Sequence, residues 1–89
     1  HIVVKDFTTC LILRMRSVPA LDSTALNALQ NLTKVCESKG ITLVFSHVNE
    51  QPMKVMVKSG FVDLVGKENF CPNIRAALDH AEKIIATAK

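Results

Sequence analysis

Several residue types are scarce in this chain, and each scarcity excludes a class of protein. Its 89 residues include no tryptophan or tyrosine and only three glycines and three prolines. No apolar run approaches the roughly 20 residues that span a bilayer. With 48% hydrophobic and 21% charged residues, the composition also excludes a disordered segment. We therefore predict one folded domain with a single compact core.

Basic residues are present but not concentrated. Eleven lysines and arginines stand against eight acidic residues, which gives a net charge of +3 spread along the chain without a basic block. Nucleic-acid-binding domains combine clustered positive charge with aromatic side chains on which bases stack. We expect no nucleic-acid partner.

From the start of the chain we expect no signal peptide. The chain begins at His1 rather than at methionine, and neither the charged region nor the apolar region of a signal peptide follows. We therefore expect an internal fragment of a longer protein.

The residue groups that build catalytic and metal sites are also missing. Cys10, Cys36 and Cys71 are odd in number and far apart, which favours reduced buried thiols and a cytosolic compartment over a disulfide framework. With His47 and His80 they form no C-x-x-C or H-x-x-x-H spacing, so we predict core thiols and surface imidazoles, without a metal site. Paired carboxylates, an oriented nucleophile and base, and a G-x-x-x-x-G-K-S/T loop are absent. We predict no catalytic residues, no cofactor and no enzyme activity.

What the chain does contain is a strand–helix–strand pattern. Residues 10–16 alternate as a strand with one buried face would. The inner face carries Leu11, Leu13 and Met15, and the other carries Ile12, Arg14 and Arg16. Residues 23–38 then show helical spacing of apolar residues, Gly40 ends that helix, and residues 41–46 form a second strand. The helix is long enough to cross between parallel strands, which predicts one βαβ unit.

The second half of the chain predicts two more helices. Asn49 can cap a helix that ends at Gly60. Three apolar residues are predicted on its inner side, Met53, Met56 and Val57. Residues 61–65 form either a short strand or a segment tucked under the sheet. A third helix with an apolar stripe begins near Pro72.

The predicted sheet is thin. Only two strands are strongly indicated, with residues 2–5 as a candidate third. A sheet of two strands leaves long unpaired edges, so we expect that N-terminal strands of the domain are missing or truncated.

One long stretch resembles a known family. Residues 11–29, LILRMRSVPALDSTALNAL, resemble the strand, D-x-T loop and helix of STAS domains at the C-termini of SulP (sulfate permease) transporters. The resemblance continues through residues 39–43, 60–64 and 73–78. Ala25 stands where many relatives, especially stand-alone anti-sigma-factor antagonists, carry the glycine of a D-S-S/T-G loop. This difference favours the transporter branch.

The resemblance implies an α/β fold of the STAS (anti-sigma-factor-antagonist-like) type, in which helices pack on a small, mainly parallel sheet. It implies a single domain over residues 1–89, with a core match over about residues 10–85. The family's N-terminal strands, with their glycine and paired phenylalanines, have no counterpart before Ile2. This agrees with the expectation of missing strands.

The resemblance also implies binding rather than catalysis. Its implied function is that of a cytoplasmic regulatory and interaction domain of a secondary transporter for sulfate-like anions, on the cytoplasmic side of the plasma (inner) membrane. The implied partners are the transmembrane domain of the parent transporter, a cytosolic regulatory protein, a second copy of the domain, and a weakly bound nucleotide or other anion. The alternative is a stand-alone anti-sigma-factor antagonist switched by serine or threonine phosphorylation.

Asp22, Ser23 and Thr24 lie at the predicted start of the first helix. Unpaired N–H groups and the positive end of the helix dipole suit an anion or an acidic partner there. In antagonist relatives the second hydroxyl residue of the loop is phosphorylated, and by position this is Thr24, with Ser23 beside it. The structural alternative is that Asp22 or Ser23 is a simple N-cap, worth about 1 kcal/mol.

Arg14 and Arg16 share one face of the first strand, and Arg16 is nearer to the loop. Arginine at this position can attract an anion or a nucleotide phosphate. Solvated cations on an open sheet face are the plainer alternative. We include Arg16 with Asp22, Ser23 and Thr24 in the candidate site.

Overall fold

A mixed four-stranded sheet runs through the centre of the molecule. A computed structural model describes the backbone of residues 2–5 and 10–88 and the side chains of residues 10–86. The strands, in spatial order, are β1 (Ile2–Lys5), β2 (Cys10–Arg14), β3 (Thr42–Ser46) and β4 (Phe70–Cys71). β1 is antiparallel to β2, whereas β2, β3 and β4 run parallel to one another. The expected small, mainly parallel sheet is therefore confirmed, and its candidate third strand is β1.

The predicted βαβ unit is also confirmed, because α1 (Ser23–Ser38) connects β2 to β3. The helix ends at a left-handed glycine, Gly40, with φ of 71°. The Gly40 N–H donates to the Glu37 carbonyl at 3.2 Å, and the Ile41 N–H donates to the Cys36 carbonyl at 2.8 Å. Together these bonds form a Schellman motif, which satisfies carbonyls of the last turn and directs the chain into β3.

α2 (Glu50–Lys58) ends just before Gly60, as predicted. Met56 is completely buried and Met53 is half-buried, in agreement with the predicted inner face. Val57 was placed on the same face, but it is 60% exposed, and that prediction is wrong. The buried residues of α2 are Pro52 and Met56, which lie four positions apart on one face of the helix. Val57 is turned about 100° from Met56 and so faces solvent.

Residues 61–65 form a short helix, α3 (Phe61–Val65), so the prediction of a strand there is wrong. Phe61 and Val62 are both in the core, at 1% and 8% exposure. Two successive buried residues fit one face of a helical turn, whereas a strand would send them to opposite faces of the sheet. The other expectation, a segment tucked against the sheet, is closer to what the structure shows.

The rest of the chain adds one strand that the sequence pattern did not indicate. A 3₁₀ turn (Lys67–Asn69) leads into the two-residue strand β4, which is too short to show any periodicity. The predicted third helix then follows as α4 (Ile74–Ala88).

Helices cover both faces of the parallel part of the sheet. On one face α1, α2 and α3 enclose the larger core, which includes Leu13, Met15, Phe45, Met56 and Phe61. On the other face α4 packs Ala77 and Ala81 against Ile12 and Val44, all of them 0% exposed. We predicted that only one face of β2 would be buried. That prediction is wrong at Ile12, because α4, which is distant in sequence, covers the other face.

Phe45, in the middle strand β3, is the aromatic centre of the larger core. Its ring meets that of Phe61 edge to face, with centroids 5.7 Å apart, and stacks on that of Phe70 at 4.9 Å. These contacts pack α3 and β4 against β3, although both lie far from β3 in the sequence.

Candidate binding site at the start of the first helix

Each of the three parallel strands is followed by the start of a helix. Residues 15–22 join β2 to α1, residues 47–49 join β3 to α2, and residues 72–73 join β4 to α4. Parallel strands present their carboxyl ends at the same edge of a sheet, so three helix amino ends gather there. The candidate site lies at this edge.

Asp22 is the N-cap of α1. Its backbone is extended, with φ of −95° and ψ of 176°, and its Oδ1 accepts the Ala25 N–H at 2.8 Å. Its carbonyl accepts the Leu26 N–H at 2.9 Å as the first helical bond. The capping alternative is confirmed for Asp22, and Ser23 is instead the first residue of the helix.

Ser23 and Thr24 lie exposed on the first turn of α1. Their amides have no hydrogen-bond acceptor among residues 2–5 and 10–88, as expected for the first positions of a helix. Ala25 and Leu26 pack against the larger core, which sets the rotation of the helix and leaves the two hydroxyl residues facing outward. Both hydroxyls are therefore accessible to a partner or a modifying enzyme.

Arg16 is exposed in the turn that follows β2, where the Val18 N–H donates to the Met15 carbonyl at 3.0 Å. In the described part of the chain no hydrogen bond or ion pair joins its guanidinium to Asp22. The structure thus places all four predicted site residues at one edge of the sheet, but Arg16 is a neighbour of the helix start without a direct bond to it.

The electrostatics of the helix start disfavour a free anion. The Asp22 carboxylate already occupies the positive end of the helix dipole and uses one of its amides. An incoming anion would meet this negative charge at short range, with only two amides left to bind it. The geometry therefore suits a docking protein or a covalently attached phosphate better than a diffusing anion.

The β2–α1 loop, residues 15–22, is held by two residues that sequence reasoning did not assign to the site. The Asn49 Nδ2 donates to the carbonyls of Arg16 at 3.0 Å and of Val18 at 2.8 Å. The Gln51 Oε1 accepts the Leu21 N–H at 2.8 Å. Asn49 was predicted to cap α2; it stands at the N-cap position, but its side chain makes no capping bond. No local signal could reveal these bonds, because their partners lie 30 to 33 residues away.

A shallow groove of about 540 Å³ lies beside this loop. It is lined by Pro19 of the loop and by residues from the start of α2, Asn49, Glu50, Gln51 and Lys54. The groove adds a mixed apolar and polar surface to the exposed start of α1.

The cysteines are free thiols, as predicted, with Cys10 and Cys36 buried and Cys71 half-buried. Burial raises the pKa of all three thiols, and Lys39 opposes this effect at Cys36. Their thiols therefore remain protonated at neutral pH and are poor nucleophiles.

His47 is exposed, as predicted, but His80 is half-buried and is more than a surface imidazole. Its Nε2 lies 2.8 Å from the Oδ1 of Asn69, whose Nδ2 donates to the Val65 carbonyl at 2.9 Å. The amide is thereby oriented so that the imidazole Nε2–H donates. This pair ties α4 to the end of α3.

Comparisons with known proteins give a consistent result. A family model described as the STAS domain matches residues 2–80. The chain is 34% identical over 68 residues to "Probable sulfate transporter 4.2" and 35% identical over 73 residues to "Sulfate transporter 4.1, chloroplastic", both from Arabidopsis thaliana. The matches cover 76% and 82% of this chain but 10% and 11% of the two relatives, so the chain spans about a tenth of their length.

Two solved structures share the fold. A sulfate transporter family protein from Wolinella succinogenes superimposes with a TM-score of 0.86 at 31% identity, covering 94% of this chain and 69% of that one. The STAS domain of a SulP transporter from Vibrio cholerae gives a TM-score of 0.83 at 31% identity, covering 94% and 66%. Within the described part of this chain, the helices are too short or too polar to cross a membrane.

Proposed function

The chain belongs to the STAS domain family, in the group found in SulP-type sulfate transporters, and on that premise we propose that it is a regulatory and interaction domain of a secondary anion transporter. It acts by binding rather than by catalysis, on the cytoplasmic side of the plasma or inner membrane. Its first partner is the transmembrane domain of the parent protein. The curated relatives support this assignment because they are sulfate transporters about ten times longer than the matched segment.

The binding surface that we assign to this function is the start of α1. One observation carries the assignment: Asp22 caps the helix by itself, which leaves the hydroxyls of Ser23 and Thr24 exposed and uncommitted. Arg16 and the groove beside Pro19 extend the same surface. A cytosolic regulatory protein is the partner that this mixture of exposed hydroxyl, apolar and cationic groups suits best. A free anion or nucleotide is a weaker candidate, because the Asp22 carboxylate repels it.

Phosphorylation of Thr24, or of Ser23, would switch this surface. It adds about two negative charges at the helix start, next to the Asp22 carboxylate. The phosphate oxygens then compete with that carboxylate for the amides of the first turn, and the like charges repel each other. A partner that docks on the unmodified surface meets a different charge and a different loop after modification.

We would test this assignment by measuring sulfate uptake in the full-length parent transporter. Thr24→Glu introduces a charge at the first turn, and Asn31→Glu introduces the same charge on the exposed middle of α1 as a matched control. We expect Thr24→Glu to change the uptake rate at least severalfold relative to both wild type and Asn31→Glu. Equal behaviour of the two variants would contradict a regulatory site at the start of α1.

The upstream reading frame separates the transporter from a stand-alone antagonist. A frame that encodes a series of membrane-spanning segments before this domain supports the transporter. A gene that encodes the domain alone, next to a kinase, would support the antagonist.

A further inference from the structure

We infer that Asn49 and Gln51 are positioning residues that hold the β2–α1 loop and thereby set the geometry of the site at Asp22, Ser23 and Thr24. The importance of that site rests on the function proposed above. We call the two side chains and their bonds to the loop the clamp. The clamp is supported by those hydrogen bonds alone, whatever the function of the site.

The orientation of Asn49 is the main observation. A residue at an N-cap normally uses its side-chain oxygen to accept an amide of the first turn. Asn49 occupies that position at α2, yet its side chain makes no capping bond and its amide group donates instead to two carbonyls of the loop. One NH₂ group thus bridges the carbonyls of Arg16 and Val18 and holds the turn that carries the Arg16 side chain.

Gln51 holds the other end of the loop. Its Oε1 accepts the N–H of Leu21, which is buried at 6% exposure and directly precedes the cap residue Asp22. The Leu21 side chain is anchored in the larger core and its amide is anchored to α2. The position of the Asp22 carboxylate relative to the Ala25 amide therefore depends on α2 as well as on α1.

The clamp couples two elements that are otherwise distant in sequence. Two backbone hydrogen bonds hold the beginning of the loop, from the Met15 N–H to the Ser46 carbonyl and from the Val18 N–H to the Met15 carbonyl. The side chains of Asn49 and Gln51 add the bonds that hold the rest of it. A partner or phosphate that shifts the loop must strain or break these bonds. By reciprocity, changes at the start of α2 must alter the affinity of the site.

Isosteric substitutions separate a clamp from a simple helix cap. Asn49→Asp removes both donors while supplying a better acceptor for the start of α2. Gln51→Glu keeps an acceptor for Leu21, whereas Gln51→Met removes it with little change of shape. Asn31→Asp, on the exposed face of α1, is the matched control for an amide-to-carboxylate change.

We would measure amide hydrogen exchange of the full chain by NMR. In Asn49→Asp we expect the Val18 and Leu21 amides to exchange about tenfold faster, because two bonds are lost and a carboxylate faces two carbonyls. In Gln51→Met only the Leu21 amide should exchange faster, by roughly fivefold. In Gln51→Glu, which keeps the acceptor, the Leu21 amide should exchange at the wild-type rate. Unchanged exchange at Val18 and Leu21 in Asn49→Asp, with a more stable α2, would show that Asn49 is only a cap and would overturn the inference.

A second readout separates the clamp from the proposed function. In the full-length transporter, the effect of Thr24→Glu on sulfate uptake should change at least twofold when Asn49→Asp is added, and should not change with Asn31→Asp. Additive effects of Thr24→Glu and Asn49→Asp would overturn the positioning role. If Thr24→Glu has no effect even in the wild-type background, the regulatory function fails, while the exchange experiment still decides the clamp.

Discussion

Replacement of Asp22 by alanine tests the local basis of the site most directly. The change removes the 2.8 Å bond from the Ala25 amide to the Asp22 Oδ1, but it keeps the bond from Leu26 to the Asp22 carbonyl, which belongs to the main chain. Asp22, Ser23 and Thr24 are all exposed, so water can reach the freed Ala25 amide. No penalty for a buried unsatisfied donor is therefore added to the loss of the cap.

The expected loss is about 1 kcal/mol of unfolding free energy, the middle of the range for N-cap replacements. For a domain of this size that loss lowers the Tm by about 4–8 °C. Asp22→Asn is the matched variant, because asparagine caps as well as aspartate but carries no charge for the helix dipole. Asp22→Asn should lower the free energy of unfolding by less than about 0.5 kcal/mol at this exposed position.

Urea unfolding followed by far-UV circular dichroism measures both free energies, and thermal melts give the Tm values. A loss below about 0.3 kcal/mol in Asp22→Ala would refute the capping role, because it falls beneath the range known for such caps. If Asp22→Asn were as destabilising as Asp22→Ala, charge rather than the hydrogen bond would stabilise the helix start.

Three further predictions concern the core and the backbone. Phe45→Ala should lower the free energy of unfolding in urea by about 3–5 kcal/mol, because the ring is fully buried between two other aromatic rings. Gly66→Ala should lower the free energy of unfolding by about 1–3 kcal/mol, because φ is 108° and a Cβ would lie 2.7 Å from a Glu68 carboxylate oxygen. Gly40→Ala should lower it by less in the same assay, because the space around its Cβ is open. Because burial raises the pKa of Cys36, its thiol should react slowly with Ellman's reagent at pH 8 in the folded protein and quickly in urea. As pH rises past about 9.0, the unfolded thiol ionises first and stability falls; a rise in stability there would contradict the burial effect.

The parts of the fold that could be predicted are those whose causes lie within a few residues. The α1 termination at Gly40 uses bonds between residues three to five apart, and the Asp22 cap joins residues three apart. The strand–helix–strand pattern of residues 10–46 follows from side-chain periodicity along each element. The secondary structure of residues 61–65 could not be predicted in this way, because five residues are too few for their periodicity to distinguish a helical turn from a strand.

The features of the site also fall into local ones and ones that depend on the tertiary structure. The amino-acid sequence by itself determined that a helix begins within residues 22–24 and that hydroxyl residues stand at its start, because backbone capping and helical periodicity are local. Only the tertiary structure decided that Asn49 and Gln51 hold the preceding loop and that α4 buries Ile12. Those contacts join residues 30 or more apart, and their geometry exists only once the parallel strands have brought their carboxyl ends to one edge of the sheet.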